Sequence, residues 1–256
     1  MIILFTSCCS SSSSSSSNIA AYQVSKFVST TLKDKPFCVI RGCITKLVDN
    51  IDIEFVKGYT DKKGKKMFNM SKKDTNYDES RKMVVGEKKF LKKNDMNILS
   101  DVIGCIAGDR RSVSEEALIL SLPDGEEQAL HQDFPAGDKN AKNHWSIFVG
   151  IMNGSKLNVV HEDFKFTITY NKGDIVVMRG DVIHCGARYT EWNLRLHYYC
   201  DCKDHRKTKD KSKDKSKDEY RVNNRIYLVE TNHVFKDIDD YKSVVSGNEF
   251  EISVIL

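Results

Sequence analysis

Proline is scarce, with 3 residues in 256, and glycine, at 14, is not abundant either. Collagen-like repeats and proline-rich linkers are therefore excluded. There are 8 cysteines, but no two share the Cys-x-x-Cys spacing, so a zinc ribbon lacks its ligand pattern. No apolar run approaches the roughly 20 residues needed to span a bilayer. The opening Met1-Ile2-Ile3-Leu4-Phe5 is too short for a signal-peptide core and has no basic flank. These absences lead us to expect an intracellular protein, cytoplasmic or nuclear, with no membrane partner and its thiols reduced, buried or half-buried. Neither charge sign dominates: 40 Lys and Arg stand against 36 Asp and Glu, for a net +4. A surplus that small does not by itself point to nucleic acid.

What is present is enough for one domain. Apolar residues make up 40% of the chain, and the length suits a single core with decorations. An unbroken serine run, 10–17, leads us to expect a disordered tail over 1–18 and a single domain over 19–256. A short helix is expected at 20–32, with Val24, Phe27 and Val28 on one face. A strand is expected at 37–44. Residues 57–93 hold 13 Lys or Arg against 5 Asp or Glu, which reads as a solvated basic insertion. The interleaved Tyr59, Phe68, Tyr77 and Phe90 keep a nucleic-acid surface open as the other reading.

From 118 onward the chain is dense in strand signals. Residues 118–122 read as a strand followed by an Asp124-Gly125 turn. Six more candidates follow at 145–151, 157–160, 164–170, 175–178, 182–184 and 194–200. In the third, Phe164, Phe166, Ile168 and Tyr170 alternate with Lys165, Thr167 and Thr169. Short strands at this spacing predict a mainly β barrel or jelly roll, with a catalytic core at 118–202. Residues 203–219 repeat Lys-Asp and Lys-Ser units and read as a flexible charged loop. Further strands are expected near 225–229 and 251–256.

The chemistry concentrates in two stretches. The first is Leu130-His131-Gln132-Asp133-Phe134; in an extended chain the side chains at i and i+2 share a face, so His131 and Asp133 can reach one metal. The second runs from Gly173 through His184-Cys185-Gly186 to Arg195, His197 and Tyr199. Two imidazoles and one carboxylate bind a metal on one face and leave three positions open, the arrangement suited to oxygen activation at non-haem iron. A turn between His184 and Arg195 allows both to lie on neighbouring antiparallel strands of one sheet. Arg195 can grip a carboxylate through two parallel hydrogen bonds. His197 and Tyr199 share its strand parity and would line the same pocket. Arg179 and Arg188 compete for that role less well. Asp174 and Asp181 read as turn formers, and His144, His161, His205 and His233 as surface residues.

With these residues in hand, the chain resembles the 2-oxoglutarate and Fe(II)-dependent dioxygenase superfamily across 130–200. The resemblance implies a double-stranded β-helix (jelly roll, cupin-like) with flanking helices. It implies Fe(II) at His131, Asp133 and His184, the distal carboxylate of 2-oxoglutarate at Arg195, and ascorbate as an optional reductant. It implies hydroxylation or oxidative demethylation of a substrate, with release of succinate and carbon dioxide. The Gly-Gly-Glu-Thr stretch typical of prolyl hydroxylases is absent, and Ile151-Met152-Asn153-Gly154-Ser155-Lys156-Leu157 stands in its place. The last strand carries one arginine, short of the pattern of nucleic-acid demethylases. Asn193 and Tyr199 flank Arg195 in a way closer to the phytanoyl-CoA hydroxylase-like branch. Two alternatives stand beside this reading: a non-catalytic cupin-like metal-binding module, and a nucleic-acid-binding protein using the basic insertion. Small molecule, protein side chain and nucleic acid all remain open as substrate.

Overall fold

A computed structural model describes residues 14–68, 77–85, 93–128, 130–134, 141–161, 164–203, 227–228 and 253–255. The strands form two sheets. In chain order they are β1 (Phe37–Arg41), β2 (Lys65–Phe68), β3 (Tyr77–Val85), β4 (Arg111–Ser121), β5 (His131–Gln132), β6 (Trp145–Gly150), β7 (Ser155–His161), β8 (Phe164–Tyr170), β9 (Ile175–Arg179), β10 (Ile183–Gly186), β11 (Asn193–Cys202), β12 (Tyr227–Leu228) and β13 (Ser253–Ile255). The major sheet has the order β13-β1-β9-β6-β11-β4-β3-β2, and the minor sheet β12-β5-β10-β7-β8. From β4 to β11 the chain passes repeatedly between the two sheets, which produces a double-stranded β-helix. Among the described strands only the β1–β13 pair is parallel.

The major sheet is covered on both faces, and this explains its nearly continuous apolar runs. One face packs against helices α1 (Ser14–Asp34), α3 (Ile53–Lys63) and α4 (Lys93–Ala107), with the short α2 (Thr45–Val48) nearby. That core takes Val24, Val28 and Leu32 from α1, Leu99, Ile103 and Ile106 from α4, and Leu118, Leu120, Ile147, Val149, Ile175, Val177, Leu194 and Leu196 from the sheet. The spacing of the α1 and α4 residues is that of a single helical stripe. The opposite face meets the minor sheet: Val39, Phe148, Val176 and Met178 pack on Leu157, Val159, Ile168 and Tyr170. Helix α3 starts where the Asp52 side chain accepts from the Phe55 amide, and its N-cap is thereby satisfied.

Several expectations change here. The helix at 20–32 extends to Ser14–Asp34, so residues 14–18 are helical where a disordered tail was expected. Phe27, placed on the inner face by its spacing, is 36% exposed, and Leu32 takes its place. Where residues 57–93 are described, at 57–68, 77–85 and 93, they are not a separate solvated insertion. They contain the end of α3 and all of β2 and β3, which extend the major sheet beside β4. Their lysines mislead because Lys82 turns to the helix side and pairs with Asp61 of α3, while Arg81 and Val84 are buried. The core strand before the first histidine starts at Arg111, earlier than 118. The loop at 204–219 lies outside the described residues. The strands expected near 225–229 and 251–256 form as β12 beside β5 and β13 beside β1.

Six cysteines are described and none of them forms a disulfide: Cys38, Cys185 and Cys200 are buried, and Cys43, Cys105 and Cys202 half-buried. Burial pushes the Cys38, Cys185 and Cys200 thiols up to about 12, so they carry almost no thiolate at neutral pH. Asp174 behaves as expected of a turn former: its carboxylate accepts from the amides of Gly42 and Asn171 and from Arg41, tying the β8–β9 turn to the end of β1. In that turn Gly173 has φ +83°, and a Cβ there would lie 2.6 Å from the Thr45 nitrogen.

Gly173→Ala should therefore lower stability by about 1–3 kcal/mol, read from denaturant unfolding. In native protein at pH 7.5, Cys43, Cys105 and Cys202 should be alkylated well before Cys38, Cys185 and Cys200, a difference mass spectrometry would detect.

Candidate metal centre

The two histidines meet because of strand register. In the minor sheet His184 of β10 stands directly opposite His131 of β5, and their ring centroids are 4.6 Å apart. Asp133 follows β5 by one residue and turns its carboxylate to the same side. One ligand atom from each of His131, Asp133 and His184 lies within 4.8 Å of the others, and all three residues are buried.

The surroundings prepare these groups as ligands. The His184 Nδ1 hydrogen donates to the Val182 carbonyl at 3.1 Å. That fixes the tautomer and leaves Nε2 with its lone pair, 3.5 Å from Asp133 Oδ2. Burial holds the His184 imidazole down at about 4, so it is neutral and able to coordinate at ordinary pH. Burial alone would raise the Asp133 carboxyl. The adjacent imidazoles of His184, His197 and His131 outweigh it and keep the group well below the usual carboxylate range. Ser146 of β6 also donates its hydroxyl to Asp133 Oδ2.

The major sheet supplies the facing wall. On β11, Arg195, His197 and Tyr199 point inward while Leu194, Leu196 and Tyr198 enter the helix-side core. A cavity is lined by His131, Asp133, His184, Arg195, His197 and Tyr199, with Ile119, Gln128, Phe148, Leu157 and Gly186 completing it. All six residues singled out from sequence thus share one cavity. Arg195 is buried, and its Nη1 donates to the Ser121 hydroxyl at 2.9 Å. Its guanidinium carbon lies 5.9 Å from the centre of the Tyr189 ring.

Three placements differ from the sequence reading. His184 and Arg195 are not on neighbouring strands of one sheet; β10 and β11 belong to opposite sheets, so the two residues face each other across the cavity. His197 lies at the metal end, with Nε2 3.3 Å from Asp133 Oδ2 and its ring packed between Phe148 and Tyr199 at 4.3 and 4.2 Å. His144 is not a surface residue. It is buried, stacks on Phe134 at 4.4 Å, and its Nδ1 accepts from the Cys202 amide at 3.2 Å. Arg179 is held by Asp181 in a two-point ion pair, and Arg188 is exposed near Asp124. Neither lines the cavity. Ser146, Ser121 and Gln128 were not found from sequence. Ser146 carries a local signal, as the lone hydroxyl of the apolar strand β6, and Ser121 closes the apolar stretch Ala117 to Leu120.

The donor set fits a divalent transition metal that tolerates mixed nitrogen and oxygen ligands: two neutral imidazoles, one ionised carboxylate and open space on the cavity side. Across that space Arg195 fits an anionic group.

No protein-family profile matches the sequence, and no curated protein does. Solved structures do match in shape. A prolyl hydroxylase from Trichoplax adhaerens, solved with a hypoxia inducible factor oxygen degradation domain peptide fragment, superposes with a TM-score of 0.61 at 11% identity, over 79% of this chain and 100% of that one. The non-heme alpha ketoglutarate dependent epimerase SnoN of nogalamycin biosynthesis gives 0.53 at 10% identity, over 70% and 80%. A Pseudomonas putida prolyl-4-hydroxylase gives 0.51 at 13% identity, over 70% and 98%. Its structural neighbours are thus iron- and 2-oxoglutarate-dependent oxygenases, and the chain shares their double-stranded β-helix.

Ser146→Ala removes a donor to Asp133 without opening a large void. It should weaken divalent-metal binding by about 10- to 100-fold and lower the stability of the metal-free protein by about 1–3 kcal/mol, as measured by calorimetric titration and denaturant unfolding.

Proposed function

We propose that this protein is an Fe(II)- and 2-oxoglutarate-dependent oxygenase. One observation carries the reading: the buried His131, Asp133 and His184 face a buried arginine, Arg195, across a single cavity, within the fold those oxygenases share. His131, Asp133 and His184 would hold the iron, and Arg195 with Ser121 would take the distal carboxylate of the cosubstrate. With O2 as oxidant, the bound pair would supply oxidation of a substrate C–H bond, one oxygen atom going to the substrate and the other to succinate as the 2-oxo acid loses carbon dioxide.

The chain's own residues have definite tasks in that reaction. Val182 and Ser146 hold His184 and Asp133 in ligating geometry. Arg195 fixes the cosubstrate at one end, and its planar fork sets the orientation of the other end toward the metal. Phe148, Leu157 and Ile119 exclude water from the cavity and keep its polar groups strongly coupled. Tyr199 closes the side toward Phe134. A cysteine-rich chain and a metal that must stay ferrous both favour a reducing cytoplasmic or nuclear setting.

The substrate stays at the level of class. The Trichoplax adhaerens prolyl hydroxylase was solved with a peptide, which supports a protein side chain as one candidate. The segment Ile151 to Leu157 runs from the end of β6 into β7 and carries no Gly-Gly-Glu-Thr sequence. This keeps small molecules and nucleic acid beside it. Among the described residues no helix is long and apolar enough to cross a membrane.

Anaerobic titration of the purified protein with Fe(II) and then 2-oxoglutarate should raise a visible charge-transfer band. His184→Ala should abolish the band, and Arg195→Ala should shift it to at least tenfold higher 2-oxoglutarate, roughly the loss of one charge-assisted hydrogen-bonded pair. Iron binding with no band would point to a cupin-like metal module. Salt-sensitive nucleic-acid binding that survives His184→Ala, with no iron bound, would leave the basic surface as the functional one.

A further inference from the structure

The basic run at 57–93 sends one side chain to the site. Arg81 of β3 is 2% exposed. Strand register places it opposite Ser121 of β4, the same serine whose hydroxyl accepts from Arg195. Opposite residues in an antiparallel pair share a face, so Arg81, Ser121 and Arg195 lie together on the inner face of the major sheet. Arg81 reaches across to the minor sheet, where its Nη2 donates to the carbonyls of Gly186 at 3.3 Å and Ala187 at 3.0 Å.

Gly186 is the meeting point. A Cβ there would lie 3.2 Å from Arg195 Nη2, 3.4 Å from Arg81 Nε and 3.1 Å from Gln128 Oε1. A side chain there would press on both guanidiniums. Gly186, Gln128 and Arg195 line the cavity, and Arg81 stands directly behind them. Two guanidiniums therefore converge on one end of the cavity wall. The arrangement suits a site whose ligand brings negative charge to that end.

We propose that Arg81 is a positioning residue that sets the charge selectivity of the cosubstrate pocket. It pins the Gly186–Ala187 backbone under Arg195, and its charge makes the pocket prefer a 2-oxo diacid over a 2-oxo monoacid. This inference rests on the oxygenase reading above.

The test compares two acids on the full-length protein loaded anaerobically with Fe(II). One is 2-oxoglutarate. The other is 2-oxopentanoate, the same chain with a methyl group where the distal carboxylate stands. Arg81→Met should raise the dissociation constant for 2-oxoglutarate about tenfold or more, the scale of a nearby charge lost from a partly desolvated site. It should leave that for 2-oxopentanoate within about twofold. Arg81→Lys keeps the charge without the fork and should retain most of the preference for the diacid, which provides a second reading if Arg81→Met does not fold. Equal weakening of both acids would assign Arg81 to backbone support alone. No change for either acid in folded Arg81→Met, or loss of the preference in Arg81→Lys, would also overturn the proposal. The wild-type protein and Arg195→Ala separate the two levels. Wild type that binds no 2-oxoglutarate sinks the oxygenase reading itself. Binding that depends on Arg195 and not on Arg81 sinks only this inference.

Discussion

An ionised carboxylate sealed between two sheets has to be balanced where it stands, and Asp133 imposes that demand on its neighbours. It is 2% exposed, so neighbouring groups must stabilise its charge. The compensation comes from both sheets: His131 and His184 from the minor one, Ser146 and His197 from the major one. Four strands that are distant in sequence must therefore lie in register before the charge is tolerated. The same contacts that assemble the site also dock one sheet on the other at this end of the barrel. Apolar packing of Val39, Phe148, Val176 and Met178 on Leu157, Val159, Ile168 and Tyr170 does so at the other.

The division of labour between the faces of the major sheet follows from this. Its outer face is mainly apolar and is covered by α1, α3 and α4. Its inner face changes along its length from aliphatic, at β1 and β9, to polar, at β11, β4 and β3. The polar end holds two arginines, a serine and a histidine that would destabilise an ordinary core. They are tolerated because each meets a specific partner: Arg195 with Ser121, Arg81 with the Gly186 and Ala187 carbonyls, and His197 with Asp133. The helix-side core provides the apolar burial on which that polar end depends.

Local patterns were legible in the sequence and long-range pairings were not. The six strands between 145 and 200 stood out because turn residues separate short apolar runs. His131 and Asp133 stood out because a two-residue spacing has one geometric meaning in an extended chain. His184 and Arg195 were found as residues but misplaced relative to each other. Whether two successive strands pair or part depends on which distant strand each one meets, and nothing between residues 184 and 195 records that β10 joins β7 while β11 joins β4 and β6. The stretch 57–93 was misread for a related reason. Its lysines dominate the composition, whereas the few inward residues, Arg81 and Val84 among them, decide that it forms sheet. The serines at 14–17 were misread because serine alone is a poor predictor of helix, and α1 is held by Val24, Val28 and Leu32 further along.

Strand β11 serves the helix-side core and the cavity at once, by strict alternation. Leu194, Leu196 and Tyr198 fill one side; Arg195, His197 and Tyr199 furnish the other. The strand therefore behaves like a message read in a fixed frame. Substitutions at single positions alter one letter, but the gain or loss of one residue between Asn193 and Tyr199 would exchange the two sides completely, driving a guanidinium and an imidazole into the helix-packed interior and leaving leucines facing the metal ligands. Over evolutionary time such a segment can diversify only by replacement. Changes of length have to be absorbed before it, in the 187–192 connection, or beyond it.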